Sequence, residues 1–136
     1  MKFATALMLT LSLVACGTRS SDDQQVRAVI ASAEKSAEKR DAGDVLTLVA
    51  DDYEDANGFD KAQLRNFLRA WLLTHPKVDL LVNVDELAFP ADGLAQAKIS
   101  VTNLTLDSPE HVNLRVEFRR YGSDWRVKRA DRVEVP

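Results

Sequence analysis

The sequence predicts an α+β fold, with N-terminal helices packed on a curved antiparallel sheet of four or slightly more strands. From Asp22 to His75 the apolar residues recur mainly at intervals of three and four, which is the period of a helix with one buried face. From Val78 onward they alternate with polar residues, which is the period of a strand. Helices followed by a run of strands indicate a layer of helices on an antiparallel sheet.

The chain begins with a short apolar segment, Phe3 to Leu13, which follows one basic residue, Lys2. A helix of this length rises about 16 Å, whereas the hydrocarbon core of a bilayer is about 30 Å thick. The segment is therefore too short for a membrane span, and its length and charge pattern are typical of a secretory signal peptide.

The apolar segment leads into LVAC, residues 13–16, and Cys16 is the only cysteine of the chain. This motif resembles the lipobox of bacterial lipoproteins. The resemblance implies that the chain is cut before Cys16, that Cys16 is acylated, and that the acyl chains anchor the protein in a membrane. Gly17 stands where an aspartate favours the inner membrane in enterobacterial sorting, so we expect the outer membrane, facing the periplasm. The alternative is an ordinary signal peptide followed by a free or buried thiol.

These motifs divide the chain into three parts. Residues 1–15 are the expected signal peptide, residues 16–21 the lipidated cysteine with a polar tether, and residues 22–136 a single domain. Without the signal peptide the chain has 17 Lys and Arg against 21 Asp and Glu, so we expect no nucleic-acid partner. The histidines, His75 and His111, are far apart and lack the spacing of a zinc site, so we expect neither a metal nor a cofactor.

Two helices are expected at the start of the domain. Ser21 and Gln24 have the spacing of a capping box, which predicts that the first helix begins there. We expect Gly43 to end this helix and Asp44 to cap a short second one. The apolar stripe of the first helix consists of Val26, Val29, Ile30, Ala33 and Ala37.

A third helix is expected from Asp60 to His75. Asp60 and Gln63 again have capping-box spacing. Pro76 ends the helix, because the residue before a proline disfavours helical geometry. The apolar positions of this helix, which form the strongest stripe in the chain, are Leu64, Phe67, Leu68, Trp71 and Leu72.

Four strands are expected to follow. The alternation that starts at Val78 shifts by one residue at Asp85-Glu86, which predicts a β-bulge in the first strand. Gly122-Ser123 predicts a tight hairpin turn between the last two strands.

Three stretches of this pattern resemble the nuclear transport factor 2-like superfamily, which includes ketosteroid isomerases and polyketide cyclases. They are KRDAGDVLTLVADDYEDANG, DELAFPADGLAQAKISV and LRVEFRRYGSDWRVKRADRVEV. The resemblance implies a cone-shaped fold over residues 22–135, with a pocket between the concave face of the sheet and the helices. It does not imply an activity, because one fold serves many functions.

The last hairpin supplies most of the candidate pocket residues. With its turn in the expected place, Arg120 lies opposite Trp125 on the apolar face of the sheet. The same pairing places Arg129 and Asp131 on that face, where a few polar groups are typical of a ligand pocket. A bulge near Lys128 would instead turn both residues to solvent. Together with two aromatic residues from the helical half, the candidate lining is Tyr53, Trp71, Arg120, Trp125, Arg129 and Asp131.

The sequence does not contain a complete catalytic set. Asp85 as a base and Tyr53 as an oxyanion donor resemble part of a ketosteroid isomerase site, but a third partner is lacking. We therefore expect a protein that is not an enzyme, with an isomerase-like or dehydratase-like enzyme as the alternative.

The outer face of the predicted sheet is charged, and its candidate protein-contact residues are Arg115, Arg119, Arg126 and Lys128. Such a face favours a weak, salt-sensitive contact with a protein or a second copy of the chain over an apolar obligate dimer. The sequence thus leaves two binding functions open: a pocket for a small apolar or amphipathic ligand, and a docking face for a protein.

Overall fold

A computed structural model of the chain describes residues 15–105 and 109–134. Residues 1–14 of the predicted signal peptide lie outside the described residues. The predicted α+β fold is confirmed, because three helices are followed by a four-stranded antiparallel sheet in the order β1-β2-β3-β4. The elements are α1 Ala15–Glu38, α2 Ala42–Thr47, α3 Lys61–Thr74, β1 Leu80–Ala91, β2 Leu94–Asn103, β3 Glu110–Tyr121 and β4 Asp124–Arg132.

The start of α1 differs from the prediction. The helix begins at Ala15 and runs through residues 16–21, which we expected to be a polar tether. The N-cap residue of a capping box has a non-helical backbone, and Ser21 is helical. Ser21 is therefore not the N-cap of α1. The Ser21 hydroxyl instead accepts a hydrogen bond from the side-chain Nε2 of Gln25, one turn later, at 3.0 Å. The domain therefore follows Cys16 without a break in the helix.

The turn between α1 and α2 also differs from the prediction. Arg40 has φ 58°, in the left-handed region that commonly ends a helix, so α1 stops before Gly43. Asp41, rather than Asp44, caps α2: its carboxylate accepts from the Asp44 amide at 3.0 Å. Gly43 lies within α2.

The predicted ends of α3 are confirmed. Asp60 and Gln63 form the capping box, and the His75 amide donates to the Leu72 carbonyl at the other end. The apolar stripe of α3 is less buried than predicted: Leu72 is buried, whereas Phe67 is 54% exposed. The reason is that α3 packs beside α2 and not across the centre of the sheet.

The main core lies between α1 and the inner face of the sheet. Val26 and Ile30 from α1 are buried on this face. Two small residues of β2, Ala95 and Ala97, leave room for the helix to lie close to the strands. The buried strand residues of this cluster are Ala95, Ala97, Ile99, Val116, Phe118 and Trp125. The space under α1 is thus filled by the chain's own side chains.

Both strand irregularities considered from the sequence are present. The pairing of β1 with β2 shifts between Val84 and Glu86, which confirms the predicted bulge. The pairing of β3 with β4 also shifts, between Glu117 and Phe118, so that Lys128 is the extra residue.

The second bulge overturns one pocket prediction. Beyond it Glu117 pairs with Arg129, Arg115 pairs with Asp131, and Ala130 takes the inward position. Arg129 and Asp131 therefore lie on the outer face, and neither lines the inside of the cone. The single extra residue has this effect because adjacent side chains in a strand point to opposite faces.

Candidate functional site

Two crevices flank α1 between Ser20 and Val29. The larger, about 590 Å³, lies between α1 and β1; we call it the α1–β1 crevice. The smaller, about 310 Å³, lies between α1, the end of α2 and the β3–β4 hairpin; we call it the α1–β4 crevice. The volume of the α1–β1 crevice is typical of small-molecule sites, and that of the α1–β4 crevice is at the lower limit of their range.

Trp125 lies under α1 between the two crevices. Its ring meets the edge of Phe89, which lines the α1–β1 crevice, at a centroid distance of 6.0 Å. Trp125 itself lines the α1–β4 crevice, and only 4% of the residue is exposed. Within the described part of the chain its indole Nε1 has no hydrogen-bond partner. A buried donor without a partner costs about 1–3 kcal/mol.

Arg120 holds the ends of three elements together above Trp125. Its Nη1 lies 3.5 Å from Asp22 of α1, and its Nη2 lies 3.0 Å from Asp92 in the β1–β2 turn. Arg120 lies opposite Trp125, as predicted, and its guanidinium carbon lies 5.6 Å from the centroid of the Trp125 ring, in cation–π geometry. Arg120 is therefore a clamp between α1 and the sheet.

The edge of β4 adds backbone groups to the α1–β4 crevice. The Val127 amide donates to the Leu48 carbonyl, and the Val127 carbonyl accepts from the Ala50 amide, both at 2.9 Å. Val127 thus directs its backbone away from β3, toward residues 48–50. Because backbone direction repeats every two residues, Trp125 directs its own N–H and C=O to the same edge, next to Leu48.

The other aromatic candidates lie outside both crevices. Tyr53 is 2% exposed and packs with Leu46 and Val49, and its hydroxyl donates to Asp55 at 2.7 Å. Burial, followed by the bond to Asp55, raises the pKa of Tyr53. Trp71 stacks on His75 at the end of α3, with ring centroids 4.0 Å apart.

The structure does not bring together the two residues of the enzyme alternative. Asp85 lies at the bulge of β1 and accepts a hydrogen bond from Ser100. Tyr53 lies beside β4, at the opposite edge of the sheet. Ser100 lies on the outer face of the sheet, so Asp85 lies on that face too, whereas Tyr53 is buried beside Leu46 and Val49.

The outer face of the sheet has balanced charges. Arg119 lies 3.2 Å from Glu117, Arg126 lies 3.9 Å from Asp124, and Lys128 lies 3.9 Å from Asp52. Arg129 likewise pairs with Asp131, and Arg115 stands opposite Asp131 in the register. The predicted protein-contact residues thus largely have acidic neighbours on their own chain.

Carboxylates also hold the loop that follows α2 against β4. Asp131 accepts a hydrogen bond from the Ala56 amide at 2.7 Å, and Asp52 accepts one from the Tyr121 hydroxyl at 2.6 Å. Burial alone would raise the pKa of Asp131, but the bonds from Ala56 and Arg129 outweigh it and lower that pKa. The bond from Tyr121 lowers the pKa of Asp52, mainly by stabilising its ionised form.

The Tyr121–Asp52 contact predicts a loss of stability in alkali. Burial, followed by the bond to Asp52, raises the pKa of Tyr121 to about 12. An unfolded tyrosine ionises near pH 10, so above that pH the unfolded chain loses protons that the folded chain keeps. The free energy of unfolding should therefore fall between about pH 10 and pH 12. Tyr121→Phe should reduce this slope in urea titrations, whereas an unchanged slope would contradict the assignment.

Among the described residues, no group of three or more His, Cys, Asp and Glu side chains is placed to hold a metal ion. None of the helices in this part of the chain combines the length and the apolar character needed to cross a bilayer.

Solved structures share this fold. A nuclear transport factor 2-like protein of unknown function from Shewanella oneidensis superposes with a TM-score of 0.68 at 10% identity, over 83% of this chain and 99% of that one. A protein of unknown function with a cystatin-like fold from Nostoc punctiforme gives 0.66 at 16% identity, over 83% and 90%. A nuclear transport factor 2-like protein of unknown function from Pseudomonas putida gives 0.67 at 17% identity, over 85% and 88%.

No protein-family model matches the chain, and no curated protein matches it. At these identities the solved structures show the fold alone. The chain therefore has the cone-shaped fold of nuclear transport factor 2-like and cystatin-like proteins, as its sequence predicted.

The structure adds site residues that the sequence analysis missed. Phe89, Leu48 and the acidic partners of Arg120, Asp22 and Asp92, had no role in the predicted pocket. Phe89 was recognisable as an inward residue after the bulge of β1. The other contacts join residues far apart in sequence, and local spacing carries no signal for them.

Proposed function

We propose that this chain is a lipid-anchored envelope protein that binds a small amphipathic ligand and does not transform it. The anchor rests on the resemblance of LVAC to a lipobox. The observation that carries ligand binding is the buried Trp125 indole, which lines the α1–β4 crevice with no partner for its N–H.

The lining of the α1–β4 crevice suits an amphipathic molecule. Its apolar part comes from Ala28 and Val29 of α1, Leu48 and Trp125. Arg126 at its rim, which lies 3.9 Å from Asp124 of the same lining, is a cationic partner for a carboxylate head group. A ligand oxygen that accepts from Nε1 after a small shift of the walls would remove the cost of the unpaired donor. Apolar walls with a few polar groups are the usual composition of a small-molecule site.

Trp125→Phe tests this proposal, because it keeps a ring in the core and removes the N–H. With dansyl-labelled undecanoic acid as the probe, we expect affinity to fall about tenfold, the equivalent of one hydrogen bond of about 1.4 kcal/mol. Ala28→Trp, which fills the crevice from the helix side, should abolish binding. Dansyl fluorescence titration of the Cys16→Ser chain measures both.

Trp71→Phe is the matched control, because Trp71 lies outside both crevices. It should bind the probe as the unsubstituted chain does. Unchanged affinity in both Trp125→Phe and Ala28→Trp, or no binding by the unsubstituted chain, would show that this crevice does not hold such a ligand.

A further inference from the structure

We infer that the end of the domain that carries both crevices lies on the membrane surface, and that the α1–β1 crevice takes a single-chain lipid from that membrane. This inference rests on the proposed lipidation of Cys16. We call this end, formed by the start of α1 and the β1–β2 and β3–β4 turns, the hairpin end.

The position of Cys16 in α1 places the hairpin end near the lipid. Cys16 lies in the first turn of a continuous helix, with no loop between the acylated residue and the domain. At about 1.5 Å per residue, Ser20 is about 6 Å and Val29 about 20 Å further along the axis. These two residues line the α1–β1 and α1–β4 crevices, so the α1–β1 crevice lies along the lipid-proximal part of α1 and the α1–β4 crevice near its middle.

The clamp at Arg120 fixes this end of α1 to the sheet. Arg120 joins Asp22, six residues after Cys16, to Asp92 in the β1–β2 turn, and its own amide donates to the Gly93 carbonyl at 3.0 Å. Because α1 is fixed to the sheet in this way, the orientation of the domain follows from the position of Cys16 at the membrane. A flexible tether would not fix this orientation.

The opposite end of the domain is equally well defined. The backbone amide of Leu80 donates to the Glu38 carboxylate at the far end of α1, at 3.3 Å. The Leu104 amide donates to the Asp79 carbonyl at 2.8 Å, and Asn103 pairs with Glu110 at the start of β3. Glu110 thus marks the end that we expect to face away from the membrane.

The chemistry of the α1–β1 crevice favours a lipid with one chain. Leu87 and Phe89 form an apolar wall on the strand side, and Ser20, Asp23 and Gln24 form a polar wall on the helix side, where Asp23 also accepts from Arg27 at 2.7 Å. An acyl chain fits the first wall, and a hydroxyl or ammonium head group fits the second. A lysophospholipid such as lysophosphatidylethanolamine has both parts.

Fluorescence quenching in vesicles tests the orientation. Ser123→Cys at the hairpin end and Glu110→Cys at the far end are both exposed positions for a maleimide fluorophore. Each lipidated chain is bound to phosphatidylcholine vesicles with nitroxide-labelled head groups. We expect the fluorophore at position 123 to be quenched at least threefold more than the fluorophore at position 110. Equal quenching, or stronger quenching at 110, would overturn the orientation.

Insertion of six Gly-Ser residues between Thr18 and Arg19 provides the matched control. This flexible linker separates the anchor from the helix, so the difference between the two labels should disappear. If the difference persists, the continuity of α1 does not set the orientation, and the inference is wrong.

The ligand class has its own test, which separates it from the proposed function. The Cys16→Ser chain should take up fluorescent lysophosphatidylethanolamine from vesicles, measured by loss of self-quenching. Binding of dansyl-labelled undecanoic acid without uptake of the lysolipid would leave the proposed function standing and overturn the lipid class. Failure with both probes would overturn both.

Discussion

Cys16→Ser is expected to move the chain completely from the membrane fraction to the soluble fraction. The physical reason is that the acyl chains proposed on Cys16 are the anchor, and this substitution removes the thiol that would carry them. Each buried CH₂ of an acyl chain contributes about 0.8 kcal/mol, and two or more chains hold a protein stably where one does not. Ultracentrifugation of cells that express the full chain measures the distribution.

Metabolic labelling with palmitate supplies the second readout for this variant. The unsubstituted chain should incorporate label, and Cys16→Ser should not. Ser20→Ala, four residues further along α1, is the matched control and should label and sediment like the unsubstituted chain. Palmitate incorporation into Cys16→Ser would disprove lipidation at this residue.

Phe118→Ala is expected to cost about 3–5 kcal/mol of unfolding free energy, which is a large part of the stability of a domain of this size. Phe118 is 1% exposed and lies in the centre of the main core. It pairs with Val127 on β4 and with Ala95 on β2, so its loss leaves a cavity that these small neighbours cannot fill. Urea unfolding followed by circular dichroism measures the change.

Leu73→Ala is the matched control for Phe118→Ala. Leu73 is also a large apolar residue, but it is 81% exposed near the end of α3. Its replacement should change the free energy of unfolding by less than about 0.5 kcal/mol. A small effect of Phe118→Ala, or similar effects of both substitutions, would show that the core between α1 and the sheet is not where the stability resides.

Features with a local cause were predicted from the sequence. The capping box at Asp60 and Gln63 was correct because both hydrogen bonds join residues three apart. The bulge at Asp85 was correct because a change in alternation is visible within one strand. The prediction that Arg120 lies opposite Trp125 was correct, because a tight turn fixes the register of the residues next to it.

Features that depend on a choice between local alternatives were predicted less well. Ser21 and Gln24 have the spacing of a cap, but the same residues also fit a helix interior, and α1 extends through them. Asp41 and Asp44 could each cap α2, and the left-handed backbone of Arg40 selects Asp41.

The sequence by itself determined the order of helices and strands and the antiparallel sheet, because each depends on periodicity. Tertiary structure decided the site. The bulge at Lys128 turned Arg129 and Asp131 outward, and the packing of α1 on the inner face of the sheet filled the cone. The crevices beside Trp125 exist because α1 meets two hairpins distant in sequence, and such contacts depend on the three-dimensional fit of whole elements rather than on local spacing.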